Sequence, residues 1–335
     1  MFEIKELWQR DLHAAVNPKS LKVIGQDVYI TERSNKLSKI NINSGKTVWS
    51  QTVPNAWGWT SISSGYVYYM SQGQGLLCFG ADSGELQWHR KFNQNYLGYI
   101  EVSGDILVTG GWRGYSNLAA YDRLTGEQLW SRAEQSQNGI GISVPEFIDN
   151  KRILVIRDSA IAAQVIDPNT GELIAEMNLP AGIEPIDLGR PYRILNGVVT
   201  FFTRDGKLVL LDTQELTVSV EDLGIASALK GIPYYFSDKV IFQDSENSYS
   251  MFDRSKRQML WSVTMPHNKW TETLATQLSD DVFVIAGALG NIKMISINGH
   301  VEAPFQLEKR ITTQIHNTGH QLIYGTKGSL KSVGY

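Results

Sequence analysis

A single cysteine, Cys78, stands in the 335 residues of this chain. An intramolecular disulfide is therefore impossible, and a lone thiol suits a reducing compartment. No apolar run approaches the ~20 residues that a spanning helix needs, so no membrane segment is expected. Positive charge is not in excess either. Thirty-one Lys and Arg face 34 Asp and Glu, giving a formal net charge of −3. A nucleic-acid binder carries a basic stripe as its electrostatic footprint, and none is present, so no nucleic-acid partner is expected. The opening stretch, "MFEIKELWQRDL", carries Glu3, Glu6 and Asp11 and lacks the apolar core of a secretory leader. These absences together point to the cytoplasm. Finally, no segment holds a 3.6-residue period over roughly 12 residues, which excludes long amphipathic helices and leaves an all-β chain.

What is present is a repeat. "SGKTVW" (44–49), "SGELQW" (83–88) and "TGEQLW" (125–130) are variants of one phrase, and "TGELIA" (170–175) is a fourth copy without the Trp. Trp8, Trp49, Trp88, Trp130 and Trp261 fall at intervals of 41, 39, 42 and 131 residues. The last interval is three units of about 44, with Ala175 and Val220 in the intervening Trp positions, and periods near 40–45 belong to propeller blades.

A second signal has the same count. A short turn followed by a β-branched or aromatic run recurs eight times, from "GQDVYIT" (25–31) through "SGYVYYM" (64–70), "SGDILVT" (103–109), "NKRILVI" (150–156), "NGVVTFF" (196–202), "SDKVIFQ" (237–243) and "SDDVFVI" (279–285) to "GHQLIYG" (319–325). Each reads as a hairpin turn feeding a buried strand. Eight units of about 42 residues predict one domain over 1–335, an eight-bladed β-propeller with four antiparallel strands per blade. The last unit supplies three strands only. The missing Trp-bearing strand is "IKELWQR", so residues 3–12 are expected to pair with the C-terminal blade and close the ring.

The repeated phrase has a physical reading. In "AYDRLTGEQLW", Asp122 is suited to accept backbone amides of a tight turn and Gly126 to take φ > 0. Trp130 then stands on the outer strand, where its ring buries apolar area against the next blade. The five repeated Trp residues are expected to be structural.

The pattern Ala-x-Asp-x-x-Thr-Gly-x-x-x-Trp resembles the docking motif of the PQQ-like eight-bladed propellers. It is matched at Ala120, Asp122, Thr125, Gly126 and Trp130. "VIDPNTGELIA" keeps Asp167, Thr170 and Gly171. "MFDRSKRQMLW" keeps Asp253 and Trp261, and "CFGADSGELQW" keeps Gly84 and Trp88. The family includes quinoprotein dehydrogenases, which hold their quinone beneath a vicinal disulfide beside a metal ion. It also includes an outer-membrane assembly lipoprotein anchored through a cysteine near its start. One cysteine forbids the vicinal disulfide, and Cys78 lies inside a strand run. No cofactor and no metal are therefore expected.

The odd residues are unevenly distributed. In a propeller, the connections leaving the outer strands and those between second and third strands share one face. That face collects Trp57, Trp59, Tyr99, Trp112, Arg113, Arg190, Arg193, Tyr234, His267 and Trp270. Aromatic rings and guanidinium groups around a concave mouth suit a small planar anionic ligand. The expected function is thus a binding or scaffold propeller for such a ligand, or for a peptide or protein partner. The alternative is a cofactor-free cyclase or lyase acting on an aromatic carboxylate, with Glu146, Glu184, Glu272, His267 or His316 as acid or base. Other motifs carry little. His316 and His320 lie in a strand and turn, where i, i+4 spacing does not converge on one metal. Asp280 and Asp281 sit in one of the eight hairpin turns.

Overall fold

The computed structural model describes residues 4–17, 20–54, 59–71, 74–92, 98–110, 117–132, 145–157, 162–178, 180, 194–195, 197–203, 206–224, 230–245, 248–265, 274–287, 290–306 and 310–335. These form 32 strands in eight four-stranded antiparallel sheets, and no helix. Within seven sheets the strands follow chain order. In the eighth the order runs from Lys5–Asp11 through Ser329–Gly334 and Gln321–Gly325 to His316–Asn317. The N-terminal strand therefore completes the last blade. Lys5 pairs with Gly334 and Asp11 with Ser329, as the repeat arithmetic requires. Ring closure leaves each blade with one unpaired outer edge.

We number the blades from the sheet that begins at Lys22–Ile24; blade 8 is the closing one. First strands of neighbouring blades lie in contact between blades 1 and 2, 2 and 3, 3 and 4, and 7 and 8. The core is divided among the seams between blades. In blade 2, Val67 and Tyr69 pack toward blade 1 with Tyr29, Leu37 and Trp49. Tyr68 and Met70 pack toward blade 3 with Ile100, Leu107 and Tyr121. Alternate residues of a strand point to opposite faces, and here both faces are covered. This is why the runs after the turns are continuously apolar rather than alternating.

The repeated Trp fastens five of the blades to the next. Trp130, on the outer strand Gln128–Arg132 of blade 3, donates its indole N–H to Pro168 O of blade 4 at 2.8 Å. Trp8, Trp49 and Trp88 make the same bond to Ile42 O, Ala81 O and Arg123 O at 2.7, 2.8 and 3.1 Å. Each ring lies on a glycine of the receiving turn: Gly45, Gly84, Gly126 and Gly171 for Trp8, Trp49, Trp88 and Trp130, with Gly299 under Trp261. Trp8, Trp49 and Trp261 are buried, whereas Trp88 and Trp130 are half-buried. An Arg two residues after the Trp adds a second fastening that the sequence reading missed. Arg10, Arg90 and Arg132 donate to the carbonyls of Gly45, Gly126 and Gly171 at 3.3, 3.3 and 3.2 Å. The turn itself is built as expected. Asp122 Oδ1 accepts from the amides of Leu124 and Thr125 at 2.9 and 2.8 Å, and these bonds, Thr125's first, hold its carboxyl below the usual range.

Blade 5 is joined differently. Ala175 and Val220 occupy the Trp positions at its two seams, paired with Val165 and Val209. An apolar cluster still fills the seam with blade 4, and Ala175 and Leu216 pack against the same cluster. Polar contacts add to it. Arg152 of blade 4 donates to Thr213 O at 3.1 Å and Gln214 Oε1 at 3.2 Å. Arg254 of blade 6 grips both carboxylate oxygens of Glu221, and Arg257 donates to Asp222 O at 3.1 Å.

Candidate functional site

The first strand of each blade lines the axis, and its position relative to the following two-residue turn sets its level in the channel. Lys22, Ser61, Glu101 and Tyr234 occupy one level, paired with Tyr29, Tyr68, Val108 and Ile241. Each stands two residues before the last strand residue ahead of its turn, and each is only partly exposed. They form a belt at one level of the first strands, in which Tyr234 packs against the cluster between blades 6 and 7. Trp59 and Tyr99 lie two residues further from the turns, about 7 Å along the strands, on the face where the outer-to-inner connections arrive.

Trp59 and Tyr99 meet across the seam between blades 2 and 3. Their ring centroids are 4.1 Å apart and their planes are inclined by 39°. Within Tyr99–Ser103, Ile100 and Val102 pack into the cluster between blades 2 and 3. Period-two alternation therefore turns Tyr99, Glu101 and Ser103 the other way. Ser103 Oγ donates to Asn150 Oδ1 of blade 4 at 2.6 Å, consistent with that direction.

Glu101 is the residue that sequence reasoning missed. Burial pushes its carboxyl above the usual range, and Lys22 opposes the shift. Lys22 belongs to blade 1 and Glu101 to blade 3, so blade 2 separates them everywhere except across the axis. Glu101 itself is partly exposed, on the first strand of blade 3. The signal in the sequence was slight: one charged residue inside "YIEVS", on a strand that the eight-turn reading already placed first in its blade.

The structure places three of the ten expected ligand-binding residues. Trp59 and Tyr99 are brought together at the channel mouth. Tyr234 is not with them. Its strand already begins at Lys230, so Tyr234 falls at the belt level, deeper than the connection it was assigned to, and its hydroxyl accepts from the Gln277 amide at 3.3 Å. Trp57, Trp112, Arg113, Arg190, Arg193, His267 and Trp270 lie outside the described residues. Of the acid and base candidates, Glu146 and His316 sit on first strands of blades 4 and 8. Glu184, Glu272 and His267 lie outside the described residues.

The quinone and metal of the dehydrogenases find no fit in what is described. Cys78 is fully buried in the core beside Tyr68, Met70 and Leu76, and burial pushes its thiol up to about 12, so it stays protonated. It has no neighbouring cysteine, and among the described residues no three His, Cys, Asp or Glu are grouped to hold a metal ion.

Residues 33–191 match the family described as outer membrane protein assembly factor BamB. The repeats are PQQ-like β-propeller repeats. Similarity to solved PQQ-like and other propellers spans the whole chain. BamB from Moraxella catarrhalis is 14% identical with a TM-score of 0.74, covering 100% of this chain and 98% of that one. The computationally designed Ika8 protein is 16% identical with a TM-score of 0.74, covering 98% and 99%. A europium-containing methanol dehydrogenase is 11% identical with a TM-score of 0.71, covering 99% and 93%. At such identities these likenesses establish the fold alone. No curated protein matches the chain.

Proposed function

We propose that this chain is a binding propeller in the cytoplasm that takes a small planar anionic ligand, or the equivalent side chain of a peptide or protein partner, at the mouth of its channel. The observation that supports the reading is the Trp59–Tyr99 ring pair, 4.1 Å between centroids, in which Tyr99 is buried and Trp59 stays partly exposed. Two rings at a channel mouth present apolar faces on which a flat molecule stacks. Trp57, Trp112, Arg113, Arg190, Arg193, His267 and Trp270 stand in connections whose described ends lie on this same face. They would add further rings and the guanidinium groups that fork onto a carboxylate.

The test is calorimetric titration with indole-3-propionate. The wild-type protein is expected to bind it, and Trp59→Ala to weaken binding about tenfold, the order of one stacking contact. No binding by the wild type, or equal affinity in the variant, rejects the reading.

A further inference from the structure

Seven of the eight outer strands are interrupted at one place. In blades 1 to 4 and 6 to 8 the ladder slips by one residue directly before the Trp position, as at Val48 before Trp49 and Leu129 before Trp130. Such a bulge leaves a residue unpaired and twists the strand, which blunts its free edge against further pairing. Blade 7 adds Pro304 to the same strand. Blade 5 alone has neither device. Its outer strand, Thr217–Asp222, pairs six successive residues with Lys207–Asp212 without a shift. The free side of this strand is a regular row of backbone groups. Asp222 O turns away from the ladder and accepts from Arg257 of blade 6. Alternate residues of an antiparallel strand share a direction, so the N–H and C=O groups of Val218 and Val220 point outward as well. No described backbone group outside the sheet meets them. The small side chains of Thr217 and Ser219 are exposed, and the run Thr-Val-Ser-Val suits extended pairing.

Charge selects the occupant. Residues 212–222 hold Asp212, Glu215, Glu221 and Asp222 and no Lys or Arg. Asp212 is used by the amides of Gln214 and Glu215, and Glu221 by Arg254. Glu215 and Asp222, one near each end of the edge, form no ion pair with a described residue. Glu176, on the adjoining outer strand of blade 4, is exposed too. Of the surrounding bases, Arg152 is tied to Asp149, Arg254 to Glu221 and Arg257 to the Asp222 carbonyl, while Lys207 pairs opposite Asp222 in the ladder. Two copies joined edge to edge would set the Glu215 end of one against the Asp222 end of the other, carboxylate against carboxylate, which opposes self-pairing. We propose that the outer edge of blade 5 is a docking site for an extended basic segment of another protein. The segment adds to the blade as a further strand through backbone bonds to Val218 and Val220, with its Lys or Arg side chains at Glu215 and Asp222. The site lies on the rim and is independent of any ligand at the channel mouth.

The probe is a fluorescein-labelled peptide, KTVKVTVKTK-amide, titrated with the full chain and followed by fluorescence anisotropy. Its control carries Glu in place of every Lys. The wild type is expected to bind the basic peptide and not the acidic one. Val220→Pro removes one outward N–H, and proline is tolerated on an edge strand where that N–H faces solvent, so the variant should fold, as its thermal midpoint will show. It is expected to weaken the basic peptide about tenfold, the order of one lost hydrogen bond. The double variant Glu215→Lys, Asp222→Lys leaves the ladder intact and is expected to exchange the preference, binding the acidic peptide instead; it decides the matter if Val220→Pro does not fold. A basic peptide that fails to bind the wild type, or that binds both variants as well as the wild type, overturns the proposal. A wild type that elutes as a dimer, with Val220→Pro a monomer, would assign the edge to a second copy and overturn it equally.

Discussion

Trp130 covers Gly171 so closely that a β-carbon on residue 171 would stand 2.7 Å from the indole Cδ2. Gly171 has a φ of +76°, but the backbone angle is not what demands glycine. At the equivalent turn positions of blades 5 and 6, Leu216 and Arg257 adopt φ of 55° and 51° with full side chains. Those are the two turns that face Ala175 and Val220 instead of Trp. Glycine is therefore required where an indole arrives, and is dispensable where none does.

Gly171→Ala should destabilise the protein by about 2–4 kcal/mol, the sum of an overpacked seam and a β-carbon at positive φ. Trp130→Ala alone should cost about 3–5 kcal/mol through the cavity it leaves. In the Trp130→Ala background the cost of Gly171→Ala should fall to about 1 kcal/mol. Denaturant unfolding of the four proteins measures this coupling. Additive losses would show that Trp130 does not rest on Gly171.

The seam between blades 5 and 6 should be sensitive to acid. The Arg254 guanidinium holds the Glu221 carboxyl below the usual range. A lowered folded-state pKa contributes stability that is present above the ordinary glutamate value of about 4.3 and is lost as pH falls through the folded value. Arg254→Met should cost about 1 kcal/mol at pH 7, since both groups are partly solvated. The gap between variant and wild type should close as pH drops below about 4. A gap independent of pH would assign the effect of Arg254 to packing against Tyr235 instead.

Glu101 has the opposite sign. Burial raises its folded-state pKa, so its contribution is fully present below the unfolded value and is lost as pH rises through the folded one. Glu101→Gln should therefore melt above the wild type at pH 7 and together with it at pH 3. A variant that melts lower at pH 7 would mean that the carboxylate is structural.

Removing residues 4–11 should open the ring. The deletion takes Trp8 from its seat on Gly45 and exposes the edge of Ser329–Gly334. Unpaired edges template association, so the shortened chain should elute as aggregate by size-exclusion chromatography. A monomer with an unchanged melting temperature would contradict the closure.

The blades were legible because they are written eight times. The turns at 64–65 and 104–105, the apolar runs after them and the Trp interval each repeat, and a missing member such as Ala175 is recovered from its neighbours. Closure was legible because Trp8 had no other place in the count. The site was less so, because function sits where the repeat is broken. Trp59 and Tyr99 stood out as aromatics outside the docking positions. Tyr234 was misplaced because a strand's start is weakly encoded when the preceding residues are not polar. Glu101 was overlooked because a charge between apolar residues normally faces water, whereas burial here raises its carboxyl above the usual range.

The pairing of Glu6 with Lys331, 325 residues apart, has a consequence for the newborn chain. The strand Lys5–Asp11 is synthesised first and has no partner until the last residues follow it. At about 5–20 residues per second, that interval is roughly 15–65 s on the ribosome. Throughout it the strand lacks its ladder partner Ser329–Gly334, although Ile42 and Gly45, which receive the Trp8 indole, are made early. Of the described strands, Lys5–Asp11 is made first and completes its ladder last. A chaperone that holds the N-terminal segment would act on a known clock.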